Sequence, residues 1–246
     1  MSPSRQRVDL TLGYLLHHRP WRDTSRILEV LTREHGRLTL FARGVRGPRA
    51  KLAPVLQPFQ PLLFSWSGRG EAPTLTGAER AELSAALPPA CLLSAFYLNE
   101  LLIRLTTRHD PLPELFDHYH EALARLRTGA PLEPVLRIFE KRLLQALGYG
   151  VDLTAETHSG KRIEADGYYH FRDRQGLIGA DARSAGALAG RSLLDLAGES
   201  LDSARSLEDA RRLLQAALSA CLEGRPLATR SVARTVVKSM RRKAVR

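Results

Sequence analysis

Apolar side chains in the first 80 residues recur at every second position, and beyond Leu87-Pro88-Pro89 at every third or fourth. In "RVDLTLGY", Arg7 to Tyr14, Val8, Leu10 and Leu12 alternate with Asp9 and Thr11, the period of a half-buried strand. Ser25–Thr32 and Gly36–Arg43 are two further β-rich runs, and the polar "TREHG" between them predicts a hairpin. Pro58–Trp66 supplies a fourth run, in which Pro61 marks an edge or a bulge, and "TLTGAERAEL" a fifth. Five short strands in about 80 residues expose sheet edges unless the sheet closes on itself. A five-stranded OB-fold β-barrel is therefore expected.

The second part of the chain is helical by period. Cys91–Thr107 is apolar nearly all round, which predicts a core helix. A second helix within 110–129 has Leu115, Tyr119, Ala122 and Leu126 on one stripe and stops at Gly129. A third, within 131–150, places Val135, Leu136, Phe139, Leu143 and Leu147 on one face, with Gly148 as its cap. From about 151 to 190 the chain is polar and glycine-rich, an irregular insert with a small β element at "GYYHFRDRQGLIG". Ser206–Glu223 predicts a last long helix, opened by a Ser206-x-x-Asp209 capping box and closed at Gly224, before a basic tail. The expected fold class is α+β and multidomain: a barrel domain over 1–82, then an all-α helical domain over 83–246 with the insert.

Charge narrows the function. The net charge is +11, with an excess of seven positive charges in 1–80, three negative in 81–160 and seven positive in 161–246. Two basic ends around a mildly acidic middle point to a polyanionic partner. The two cysteines, Cys91 and Cys221, lie in apolar helical runs and form neither a disulfide framework nor a metal-binding pair. The N-terminus lacks the apolar core of a signal peptide and no run reaches membrane-span length, so a soluble cytoplasmic protein without membrane contact is expected.

Enzyme motifs are missing: no phosphate-binding lysine loop, no GxSxG, no HExxH and no GxGxxG after a strand. His118 and His120 are two apart, face different sides of a helix, and are expected to be solvated rather than metal-bound, as are His17 and His18. Glu114, Asp117 and Glu121 fit ordinary helix-surface charge. No catalysis, cofactor or metal is expected.

The cationic features carry more information. In "GRLTLFAR", Arg37, Thr39, Phe41 and Arg43 share one strand face, and Leu38, Leu40 and Ala42 the other. A basic face with an aromatic ring can neutralise phosphates and stack a base; Phe41 packed under the helical domain is the competing expectation. The loop that follows adds Arg46, Arg49 and Lys51 between glycines that allow close backbone approach to phosphate, and Arg69 in "SGRGE" joins this nucleic-acid-binding set. On the helix after residue 131, Arg137 and Lys141 stand one turn apart beside Leu136, Phe139 and Leu143. That pattern suits an acidic, hydrophobic peptide, and equally an amphipathic helix whose long cations cover its own core.

Several segments together carry a family resemblance: "HRPWRDTSRILEVLTREHGRLTLFARGVRG", "LQPFQPLLFSWSGRGE", "FYLNELLIRL" with "LFDHYHEAL", and "LRIFEKRLLQALGYGVDL". In this order, from about Val8 to Leu153, the chain resembles the RecO recombination-mediator family. The resemblance implies an N-terminal OB-fold and a helical domain. It also implies binding to single- and double-stranded DNA and annealing of complementary strands. Work with RecR to help RecA load onto coated DNA is implied too, as is contact with the acidic C-terminal tail of single-stranded-DNA-binding protein. By the same resemblance Arg137, with Lys141 beside it, is the first choice for that tail contact. The chain departs from family members that carry a four-cysteine zinc module after "LGYG": residues 151–176 contain no cysteine, so the insert must be held by packing or stay mobile. An RNA-binding OB-fold protein is the alternative, since a basic barrel face does not choose its polymer; a nuclease would need a carboxylate cluster that the sequence does not present.

Overall fold

The computed structural model describes residues 7–46, 50–229 and 231–232. They group into two compact units, residues 7–123 with 228–232, and residues 124–227.

The first unit is built on five strands: β1 (Arg7–Trp21), β2 (Ser25–Thr32), β3 (Gly36–Ala42), β4 (Pro61–Ser67) and β5 (Thr74–Arg80). They form a barrel in the ring order β1-β2-β3-β5-β4. The β3–β5 seam is thin, a parallel bridge between Phe41 and Thr74 joined by Phe41 N–H donating to the Pro73 carbonyl at 2.9 Å. β1 is twice the expected length and serves two neighbours. Its first half pairs with β4 and its second with β2, with a register shift in each ladder. Such bulges bend and twist a strand, which lets one strand coil around a small barrel. At the crossover sits Gly13, paired with both Thr32 and Leu62; a Cβ there would lie 2.7 Å from the Leu31 carbonyl oxygen.

Alternation places Leu15, Leu28, Val30, Leu38, Leu40, Leu62, Phe64 and Trp66 inside the barrel. Tyr14 and Leu16 point the other way and are buried too, because the first two helices cover that side. These are α1 (Leu92–Leu105), preceded by a short 3-10 turn, and α2 (Pro113–Arg127). Tyr14 packs edge-on against Tyr119 at 5.1 Å, and its hydroxyl bonds His120 Nδ1 at 2.7 Å. His120 is thus a packing residue and not the solvated histidine expected. The β1 bulge leaves the Leu16 carbonyl without a ladder partner, and buried Asn99 donates to it at 2.8 Å while Tyr119 donates to Asn99. Asp117, expected to be plain surface charge, takes a two-pronged contact from Arg33.

The second unit holds α3 (Leu132–Ala146), a small antiparallel sheet of β6 (Tyr168–Arg172), β7 (Gly176–Ala180) and β8 (Leu188–Ala189) in the order β7-β6-β8, then α4 (Gly190–Ala197) and α5 (Ala204–Cys221). The expected β element is β6 and β7; β8 and α4 were not foreseen. Hydrogen bonds tie the loop before the sheet to it: Thr157 N–H donates to the Leu177 carbonyl and Leu177 N–H to Thr157 Oγ1. Among the described residues no group of three or more potential ligands could hold a metal ion. α5 begins earlier than the capping box predicted. Ser203 is its N-cap, accepting from Ser206 N–H, while Ser206 lies buried inside the helix and donates to Asp195.

The first residues of the basic tail, 228–229 and 231–232, are helical and anchored in the first unit, and the rest of that tail lies outside the described residues. Glu100 of α1 accepts from Ala228 N–H, Thr229 N–H and the Thr229 hydroxyl. A carboxylate there caps a helix start. No helix among the described residues is long and apolar enough to cross a membrane.

Candidate nucleic-acid interface

The outer face of β1–β2–β3 is where the expected basic strand face lies. Its register brings His17, Glu29 and Thr39 into one row across the three strands, and Arg19, Ile27 and Phe41 into the next. Directly opposed residues on antiparallel strands point to the same side, so these rows share a face. The face has two halves of opposite character.

One half is closed. Arg37 has a side chain only 10% exposed, pairs with Glu29 at 2.9 Å, and donates to the Thr106 hydroxyl at 3.0 Å and the Thr106 carbonyl at 2.7 Å. Arg108 grips the other Glu29 oxygen at 2.6 Å, and Thr39 donates to it as well. Burial pushes the Glu29 carboxyl up, but hydrogen bonds from Arg108, Thr39 and Arg37 outweigh it and hold the pKa below the usual range. Arg37 was expected to meet phosphate. It is instead the centre of a buried ion-pair network, because the segment after α1 covers this half of the strand.

The other half is open. Arg43 is exposed and lies 5.5 Å from the centroid of half-buried Phe41. Arg46, also exposed, is held on the β1–β2 turn: its N–H donates to the Thr24 carbonyl at 3.0 Å and its guanidinium to the Arg22 carbonyl at 3.0 Å. The loop after β3 and the β1–β2 hairpin tip therefore form one surface. The tip adds Arg19 and Arg22, against a single carboxylate, Asp23; half-buried Arg26 opposes inward Ala42 and so leaves the strand on its other side. Trp21 ends β1 with 41% of its surface exposed and the Arg19 guanidinium 5.9 Å from its ring centroid. At His18, burial first, then Arg26 and His17, lower the pKa and disfavour the charged form.

Of the expected contacts, the structure thus unites Phe41, Arg43 and Arg46, and withdraws Arg37. Lys51 is exposed in the same connection, and Arg49 lies outside the described residues. Arg69 stands apart in the β4–β5 loop, where it borders a cavity of about 200 Å³ with His35, Trp66, Pro73 and His109. Sequence reasoning missed Arg19, Trp21 and Arg22. Their signal was present in "HRPWRDTSR", a tryptophan among arginines and a proline, but with β1 ended at Tyr14 it had no structural place.

In the second unit, Arg137 and Lys141 do not act as a pair. Lys141 Nζ donates to the Leu196 and Ala197 carbonyls and pairs with Glu199 at 2.8 Å, so it caps the C-terminus of α4. It is a structural cation and not a free peptide contact. Arg137 is 9% exposed and pairs with Glu140 through one nitrogen at 2.9 Å; its Nε and Nη1 have no hydrogen-bond partner among the described residues. It lines a small cavity of about 130 Å³ with Glu133 and with Ala204, Leu207, Glu208 and Arg211 of α5, where Arg211 is itself paired with Glu208 at 2.8 Å. Buried guanidinium donors left unsatisfied fit a carboxylate.

Fold and site together define an OB-barrel protein with an arginine-rich open face, joined to a helical unit. The family model described as Recombination protein O N terminal matches residues 9–84, and Recombination protein O C terminal matches residues 90–231. The chain is 42% identical over 233 residues to the DNA repair protein RecO of an Azoarcus species, covering 93% of this chain and 96% of that one. It is 44% identical over 229 residues to the protein of the same name from Methylococcus capsulatus, covering 93% and 94%. The chain belongs to the RecO family, and its role lies in DNA repair and recombination.

Proposed function

We propose that this chain is a non-enzymatic recombination mediator that binds single- and double-stranded DNA and anneals complementary strands. With RecR it would help RecA load onto DNA coated by single-stranded-DNA-binding protein. The carrying observation is that exposed Arg19, Arg22, Arg43 and Arg46 lie on the open part of the barrel surface formed by the β1–β2 tip and the loop after β3, with a single carboxylate, Asp23, at that tip. Such a surface releases condensed counterions when it meets phosphates, and it screens the mutual repulsion of two strands brought together. The RecR and RecA steps, and a cytoplasmic location on the nucleoid, are supported by family membership. Contact with the acidic tail of single-stranded-DNA-binding protein is supported by the Arg137 donors that have no hydrogen-bond partner among the described residues, which suit a peptide carboxylate.

The test is annealing of complementary oligonucleotides by the purified chain, compared with an Arg43→Ala, Arg46→Ala, Lys51→Ala variant. Annealing that fails in the variant supports the assignment; equal annealing removes this surface from it. Competition between DNA and RNA of one sequence decides the polymer, and preference for RNA would favour an RNA-binding barrel protein instead.

A further inference from the structure

Resting on the DNA-binding reading above, we propose that Trp21 is a stacking subsite for an unpaired base, and that it makes the barrel prefer single strands to duplex. β1 carries its share of the core only as far as Leu16; from His17 to Trp21 its side chains are exposed or half-buried, so this part of the hairpin is an arm beyond the core. A tryptophan there keeps 41% of its surface open to water. The chain has two tryptophans, and their placement differs sharply: Trp66 is 6% exposed inside the barrel, Trp21 is 41% exposed at the arm's end.

The register gives this ring a partner. Arg19 and Trp21 are two residues apart on one strand and share a face. Arg19 opposes Ile27, which opposes Phe41, so the Trp21–Arg19 pair and the Phe41–Arg43 pair lie two strands apart, about 10 Å. Each pair sets a guanidinium within 6 Å of a ring centroid, at 5.9 and 5.5 Å. An arginine beside an aromatic face is suited to hold a phosphate while the ring receives the attached base. Duplex DNA keeps its bases stacked internally and offers this ring nothing, whereas the arginines serve both polymers. Discrimination therefore falls to the ring and affinity for backbone to the cations.

The experiment uses the full chain with three probes of equal length: oligo(dT), an abasic deoxyribose-phosphate strand, and a duplex. For Trp21→Ala, oligo(dT) affinity should fall about 10-fold, in the range of one lost base-stacking contact, with abasic and duplex affinities within about twofold of the parent. Trp21→Phe should recover most of the loss. Oligo(dT) should quench the parent's tryptophan fluorescence and leave the Trp66 emission of Trp21→Phe unaltered. Equal losses on all three probes, or no loss on any, would overturn the stacking assignment while leaving DNA binding standing. A parent chain that binds none of the probes would overturn the DNA-binding reading itself.

Discussion

Replacing Arg37 by alanine separates a structural arginine from the DNA-facing ones. The change removes the ion pair to Glu29 and two hydrogen bonds to Thr106, one of them to a buried backbone carbonyl. Breaking a buried pair by deleting one partner costs about 3–5 kcal/mol when the survivor is left uncompensated. Here Glu29 keeps Arg108, which is 48% exposed, and Thr39, so the low end applies, about 3 kcal/mol. For a chain of this size that corresponds to a fall in Tm of about 6–12 °C. Since the Arg37 guanidinium is committed to protein partners, the salt dependence of single-strand binding should not change. The double variant Arg43→Ala, Arg46→Ala should do the opposite, holding Tm and flattening the slope of log affinity against log salt by up to about 1.4, or 0.7 per lost phosphate contact. The assay is thermal unfolding followed by Trp66 emission in a Trp21→Phe background, paired with DNA titrations at several salt concentrations. An Arg37→Ala variant that melts like the parent but loses salt slope would refute the division of the face into closed and open halves.

Three further side chains, Glu100, Arg137 and Lys141, have distinct expected outcomes. Burial pushes the Glu100 carboxyl up, but hydrogen bonds from Thr229 and Ala228, with Arg104 nearby, more than offset it and hold the folded pKa below the usual range. Its stabilisation of the 228–229 cap is therefore complete above the ordinary glutamate range and is lost as pH falls through the depressed value, so the protection of the Ala228 and Thr229 amides, measured against their intrinsic exchange rate at each pH, should fall in acid. Glu100→Gln should leave both amides poorly protected at every pH and lose most of the pH dependence of that protection. In the second unit, Arg137→Lys should weaken binding of an acidic peptide with a hydrophobic C-terminus by about 10-fold, in line with one lost charge-assisted hydrogen bond. Lys141→Met should lower the denaturation midpoint and leave peptide affinity intact; the reverse pattern would return Lys141 to the binding surface.

Strands β2 and β3 were legible to within a residue because they are central, and their alternation is driven by a core on one side. The far half of β1 was not. His17, Arg19, Pro20 and Trp21 lie on an arm with little core beneath, so no apolar period marks them. The helix α4 escaped for a related reason: eight residues opening on Gly190 give too few turns for a stripe. The α5 start was misplaced by three residues since Ser203 and Ser206 both stand three before a polar residue, and only packing against Asp195 decides which becomes the cap.

The candidate site was half legible for a clear reason. Alternation correctly sent Leu38, Leu40 and Ala42 inward and Arg37, Thr39, Phe41 and Arg43 outward. Outward from a barrel is not the same as into water. Period two is a local property of one strand, so the chain alone determines the barrel, its helical continuation, its charge and which residues leave the core. What lies over the outer face depends on contacts between residues some seventy positions apart, such as Arg37 with Thr106 and Glu29 with Arg108. Tertiary structure alone closed one half of the face, left the other open, and joined to it a hairpin tip carrying Arg19, Trp21 and Arg22.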